Sequence, residues 1–299
     1  MAGHGNPRGV RRRRIWCETL PLGALPLDLL EAHDLAPLVA VRPWDLEALA
    51  GVVDRCAARR LPVAVWPMLA DSDGRWANAD DMSRFTSFAR EVRRVAPRAE
   101  LVVDLEPAIA VIRRALRLGP VAFLGEAFGR ARAFEGARAE LTTLVDEARS
   151  DGVPTSAAVL PSVLFDGPTW PWTQALLGTP SDGVLFDHVS VMLYPSILEG
   201  WSAGLLDRRR TVRALRFLAG RTRARFGARA GVSLGVVGPG ALGNEPCYRD
   251  PAELEEDVAA TREAGVDDLC LFDLGGVVRR GEAFVTAFTG CHLPGRALG

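Results

Sequence analysis

The sequence predicts an α/β chain closed into a (β/α)8 TIM barrel, on three observations. Eight apolar runs rich in β-branched residues recur along the chain, each followed by a turn-rich stretch and then by a stretch of helical period. Alternation of this kind builds a parallel sheet, and eight units within 299 residues suit a closed barrel better than an open, doubly wound sheet. No G-x-G-x-x-G turn follows the first run, so the signature of a dinucleotide-binding sheet is missing. With 48% hydrophobic residues and no internal linker, residues 15–299 read as a single barrel domain. Residues 1–14, rich in Gly and Arg, read as a disordered basic arm.

In chain order, the first strand is predicted at Ile15 to Leu20, followed by a leucine-rich helix over Leu25 to His33. The second covers Leu38 to Trp44, with Asp45 as the N-cap of a helix through Arg59. The third, Leu61 to Trp66, leads through a long loop to a helix ending near Val95, for which Asn78, Asp80 and Asp81 offer caps. The fourth, Glu100 to Glu106, stops at Pro107, and the helical stretch Ala108 to Ser150 is broken near Gly119 and Pro120. Strands five and six fall at Thr155 to Ser162 and His188 to Tyr194, separated by a loop rich in Pro and Gly. The arginine-studded helix Asp207 to Phe226 precedes strand seven, Val232 to Gly238. The helix Pro251 to Ala264 ends at Gly265 as a C-cap and precedes strand eight, Asp268 to Leu274.

Composition excludes several function classes. The 36 cations are all arginine and face 37 acids, so a net charge of −1 argues against a nucleic-acid or membrane-surface partner. Without lysine there can be no Schiff-base, pyridoxal-linked or P-loop lysine, and no cofactor is called for. His4, His33, His188 and His292 share no metal-ligand spacing, which speaks against a zinc site or a histidine-based triad. Five scattered cysteines without a C-x-x-C pair read as reduced and intracellular. Glu18 and Pro21 interrupt any signal-peptide core, and no stretch reaches the roughly 18 apolar residues of a membrane span, so a cytoplasmic location is expected.

In such a barrel the active site forms at the carboxyl ends of the strands. There the sequence places Glu18, Arg42, Trp44, Trp66, Trp76 and Asn78, then Asp104 and Glu106, and finally Trp170, Trp172, Tyr194, Trp201 and Asp273. Of the seven tryptophans only Trp16 sits within a strand. Flat aromatic faces mixed with carboxylates, amides and arginine suit a ligand with apolar C–H faces and a hydroxylated edge, such as a sugar. The centre is Leu101 to Pro107, where a period of two puts Val102, Asp104 and Glu106 on one face. Two carboxylates on one face of an apolar strand are costly to bury and mark a site. Glu106 is the expected general acid, Asp104 its neighbouring charge or proton store, and Tyr194 a hydrogen-bond donor.

Asp104-Leu105-Glu106 on strand four and Met192-Leu193-Tyr194 on strand six resemble the D-x-E and M-x-Y signatures of family 18 glycoside hydrolases, the chitinases and endo-N-acetylglucosaminidases. The resemblance implies a barrel in which Glu106 is the acid/base, Asp104 orients the N-acetyl group of a substrate sugar and Tyr194 assists its carbonyl. Retention would then be substrate-assisted. The family's longer D-x-x-D-x-D-x-E run has Ala99 and Val102 in place of its first two acids here, the strand-three S-x-G-G is replaced by Val63 to Pro67, and no strand-eight tryptophan is present. Without N-acetyl assistance, Glu18 or Asp273 is the alternative partner for Glu106. Two further readings stand beside a glycosidase: a sugar-binding barrel without turnover, and a divalent-metal enzyme with an oxygen cage of Glu18, Asp104, Glu106 and Asp273.

Overall fold

The computed structural model describes residues 12–118, 121–167, 170–202, 204–240 and 242–290. Eight parallel strands close into a barrel in sequence order. They are β1 (Arg13–Cys17), β2 (Ala36–Val41), β3 (Ala64–Pro67), β4 (Glu100–Leu105), β5 (Thr155–Val159), β6 (His188–Met192), β7 (Ala230–Gly235) and β8 (Asp268–Phe272). Closure pairs Arg14 of β1 with Ala36 of β2 on one side and with Cys270 of β8 on the other. The strands carry apolar residues on both faces because both are covered. Ile15, Val39, Val65, Leu101 and Val103 pack outward against the helices, while Trp16, Leu38, Ala64, Val102 and Cys270 fill the barrel interior as a separate cluster.

Several strands end earlier than expected. β4, β6 and β8 stop at Leu105, Met192 and Phe272, so Glu106 and Asp273 are the first residues beyond β4 and β8, and Tyr194 is the second beyond β6. Pro107 and Pro195 have no N–H to extend the ladder, which accounts for the first two. Asp273 instead accepts from the Gly276 N–H and caps the helix Leu274–Arg280. The break in the fourth connection leaves helices Ile109–Leu118 and Val121–Ser150. Asp45 precedes the helix Leu46–Ala58, but its carboxylate accepts from the Arg42 N–H rather than capping that helix.

β1 starts at Arg13, inside the stretch expected to be a disordered arm; residues 1–11 of that arm, and with them His4, lie outside the described residues, as do Cys291 and His292. Arg14 is 2% exposed and plugs the amino-terminal end of the barrel. Its Nε and Nη2 donate to the Asp268 carboxylate at 3.1 and 2.9 Å, and its Nη1 donates to Glu100 Oε1 at 3.1 Å and Ser156 Oγ at 3.2 Å. Burial alone raises the Glu100 proton affinity, yet Arg14 and Arg12 together hold its carboxyl below the ordinary range. Breaking such a group strands two buried carboxylates. Arg14→Met is therefore expected to lower unfolding free energy by roughly 3–5 kcal/mol in denaturant titration at neutral pH. Because Glu100 is depressed when folded, its stabilising share is present above the unfolded pKa and is lost as pH falls through the folded value.

Candidate active site

At the carboxyl end of the barrel a pocket of about 300 Å³ runs down from the loops to the interior. Its floor is Trp16 and Trp66, whose rings meet edge to face at 4.7 Å between centroids and 70° between planes. Met192, Val236 and Phe272 continue the floor, and Leu160, Ile197 and Trp201 form much of the wall. Small interior residues leave this space: Ala40, Ala64 and Ala158 stand on β2, β3 and β5 where larger side chains would fill the mouth. Gly235 ends β7 because a Cβ there would meet the Phe272 carbonyl at 3.0 Å and the Tyr194 ring at 3.1 Å.

The polar groups of the pocket are Glu18, Asp104, Glu106, Tyr194 and Glu245. Asp104 is 3% exposed, and its Oδ1 has no hydrogen-bond partner among the described residues. Burial, then the charges of Glu106 and Glu18, hold its proton far more tightly than usual. For Glu106, burial followed by the Glu18 charge pushes the pKa up to about 8, against a smaller opposing pull from Arg75. A carboxyl with that affinity carries its proton at neutral pH and can donate it. Tyr194 packs its ring 5.6 Å from Phe272, and burial together with Asp104 and Glu106 keeps its phenol protonated and a donor. Trp66 Nε1 is also buried with no partner among the described residues.

The residues expected at the site separate into two sets. Glu18, Trp66, Trp76, Asp104, Glu106, Tyr194 and Trp201 come together around one pocket. Arg42 stands behind it, donating to the Leu69 carbonyl at 2.5 Å, with its guanidinium 6.0 Å from the Trp44 ring. Trp44, Trp170 and Trp172 do not line the pocket: they are 69%, 52% and 50% exposed on the surrounding loops. Asn78 is fully buried and shapes its own turn, donating to the Trp76 carbonyl at 2.9 Å and accepting from the Asp80 N–H at 3.0 Å. Asp273 accepts from Thr19 Oγ1 at 2.8 Å and from the Gly276 N–H at 2.9 Å, turned away from the pocket. The oxygen cage for a divalent metal does not form, since Asp273 is engaged as a helix cap and Glu18 pairs with Arg75. No group of three His, Cys, Asp or Glu among the described residues could hold a metal ion.

Three contributors escape the sequence reading. Trp16 lies two residues before Glu18, so the period of two already placed it on the same face. Arg75 sits in an irregular loop with φ +69° and carries no periodic signal. Glu245 reaches the pocket from the long β7 loop, where its Oε1 accepts from the Leu242 N–H at 3.3 Å. Nothing in its local sequence marks it.

No protein-family model and no curated protein matches the chain. Solved structures do match in fold. A class V chitinase from Pseudomonas fluorescens aligns with a TM-score of 0.60 at 11% identity, covering 93% of this chain and 98% of that one. The PgaB glycoside hydrolase domain from Bordetella bronchiseptica aligns at 0.56 and 13%, covering 92% and 98%. A family 18 chitinase from Pseudoalteromonas aurantia aligns at 0.55 and 11%, covering 93% and 99%. At this identity the likeness establishes a shared (β/α)8 barrel. Among the described residues no helix is long and apolar enough to cross a membrane.

Proposed function

We propose that this barrel hydrolyses a glycosidic bond next to an N-acetylated amino sugar, with Glu106 as acid/base, Asp104 as the group that orients the N-acetyl amide and Tyr194 as donor to its carbonyl. The observation that carries the reading is the orphaned Oδ1 of Asp104, buried beside Glu106. A buried acceptor without a partner costs about 1–3 kcal/mol, and an amide N–H from a substrate would recover that loss. Fold likeness to chitinases and to a glycoside hydrolase domain supports the same reading.

The chemistry follows from the protonation states. Glu106 gives its proton to the leaving oxygen as the bond to the anomeric carbon breaks. The acetamido oxygen closes onto that carbon from the other face, with its amide N–H oriented by the Asp104 carboxyl and its carbonyl fixed by Tyr194. Water then opens the ring product as Glu106, now ionised, takes a proton. The tryptophan floor offers an apolar face to the sugar, and the small pocket fits one ring more readily than a chain running through it.

The test is hydrolysis of chito-oligosaccharides and of chromogenic N-acetylglucosaminides, followed by reducing-end release and by tryptophan fluorescence. Release that depends on Glu106 is expected. Fluorescence change without release identifies a binding barrel instead, and neither response to any saccharide sinks both readings. Trp66→Ala is expected to weaken saccharide binding by roughly 10-fold or more, measured by the same titration, since an aromatic platform contributes about 1–3 kcal/mol per stacked ring.

A further inference from the structure

We propose that Arg75 is a positioning residue: it ties Glu18, just beyond β1, to Asp71 of the β3 loop and thereby fixes a charged pair against Asp104 and Glu106. This rests on the glycosidase reading above. Arg75 is 8% exposed, donates from Nη1 to Asp71 Oδ1 at 2.8 Å and from Nη2 to Glu18, and lies 5.2 Å from the centre of the pocket-lining Trp76 ring. Its backbone is held at φ +69°, a region that non-glycine residues enter at a cost and retain when the surroundings fix them. Here the surroundings are a closed loop, in which the Leu69 N–H donates to the Arg75 carbonyl at 2.9 Å and the Arg75 N–H donates to the Ala70 carbonyl at 3.2 Å. The side chain is thus delivered to Glu18 by the shape of this loop.

The groups facing the acid pair come from nearly every side. Glu18 follows β1 directly, Arg42 is on the β2 loop 3.9 Å from Glu18, and Asp71 and Arg75 are on the β3 loop. Tyr194 follows β6, Glu245 comes from the β7 loop, and Cys270 lies below on β8. Within this set Glu18 strengthens the hold of both Asp104 and Glu106 on their protons, and Arg75 weakens it. The two members of one ion pair therefore act on the acids with opposite sign, and holding them together keeps the acid protonated at neutral pH without locking the proton on.

The experiment uses the full chain without substrate, following tryptophan emission from pH 4 to 10, since Trp16, Trp66 and Trp76 line the pocket beside the carboxylates. Glu106→Gln identifies its transition by removing it. Glu18→Gln is expected to lower the midpoint and Arg75→Gln to raise it, each by roughly one pH unit, the effect of a charge within about 4–6 Å. Arg75→Lys is expected to restore most of the wild-type midpoint. A role that is only structural would alter thermal melting and leave the midpoint in place. The proposal is overturned if neither variant moves it, or if both move it the same way; should Arg75→Gln fail to fold, Glu18→Gln and Arg75→Lys decide. A midpoint that shifts as expected in a chain that cleaves no glycoside upholds the positioning role and discards the enzymatic reading.

Discussion

Glu106→Gln is expected to lower turnover on the responsive glycoside on the order of 10²- to 10⁴-fold while leaving KM nearly unchanged. The glutamine keeps the shape of the side chain and its hydrogen-bonding edge but has no proton to give, so the loss falls on kcat. In the wild type, activity is expected to persist through neutrality and to fall as pH rises through about 8, where Glu106 ionises. An ordinary carboxyl would have lost its proton far below that. The same substitution is expected to stabilise the fold. Relative to the unfolded chain, with Glu106 near 4.5, the native state binds the proton more tightly, so folding stability from this group falls as pH rises between 4.5 and about 8. Removing the titration removes that fall. Denaturant titrations at pH 4 and pH 8 should show wild type and variant nearly alike at the lower pH and the variant ahead at the higher. Wild-type turnover in Glu106→Gln would dismiss the acid assignment outright.

The sequence announced the barrel because its signals are local and repeated. Runs such as Leu38 to Val41 and Leu269 to Phe272 are apolar on both faces, which only a covered parallel sheet requires, and Pro107, Gly265 and the Gly119 to Pro120 pair punctuate the chain. Half of the site was legible for the same reason. Asp104, Glu106 and Tyr194 are displayed by strand ends, whose direction follows from a period of two. What the sequence concealed lies in loops. Trp44, Trp170 and Trp172 share composition and approximate placement with Trp76 and Trp201, yet only the latter two turn inward, because that choice depends on loop paths fixed by distant contacts. Trp76 is drawn in when the Ala77 N–H pairs with the Asp104 carbonyl at 2.9 Å, an interaction across 27 residues that no local pattern encodes. Asp273 was misassigned by a similar ambiguity: an acid just beyond a strand can enter the pocket or cap the following helix, and three helix residues later the Gly276 N–H decides for the cap.

Asp104→Asn is expected to impair turnover by roughly 10²-fold or more and also to simplify the alkaline side of the pH profile, two effects that Glu106→Gln cannot show together. Asparagine occupies the same volume and can still accept from an amide, so the pocket keeps its form. It has no proton to lose or gain, however, so the pair can no longer redistribute its protons as Glu106 gives one up, which places the loss in kcat. An ionised Glu106 strengthens the hold of Asp104 on its proton, so the pair gives up its two protons in coupled steps. With a permanently neutral neighbour only the Glu106 step remains, so the alkaline limb of the kcat profile is expected to follow a single ionisation. Asp104→Ala offers the contrast: it removes the acceptor as well as the charge, and should weaken binding of N-acetylated substrates where Asp104→Asn does not. An unchanged limb in Asp104→Asn, with turnover intact, would show that the two carboxyls act independently and that Asp104 is buried for reasons unconnected with the reaction.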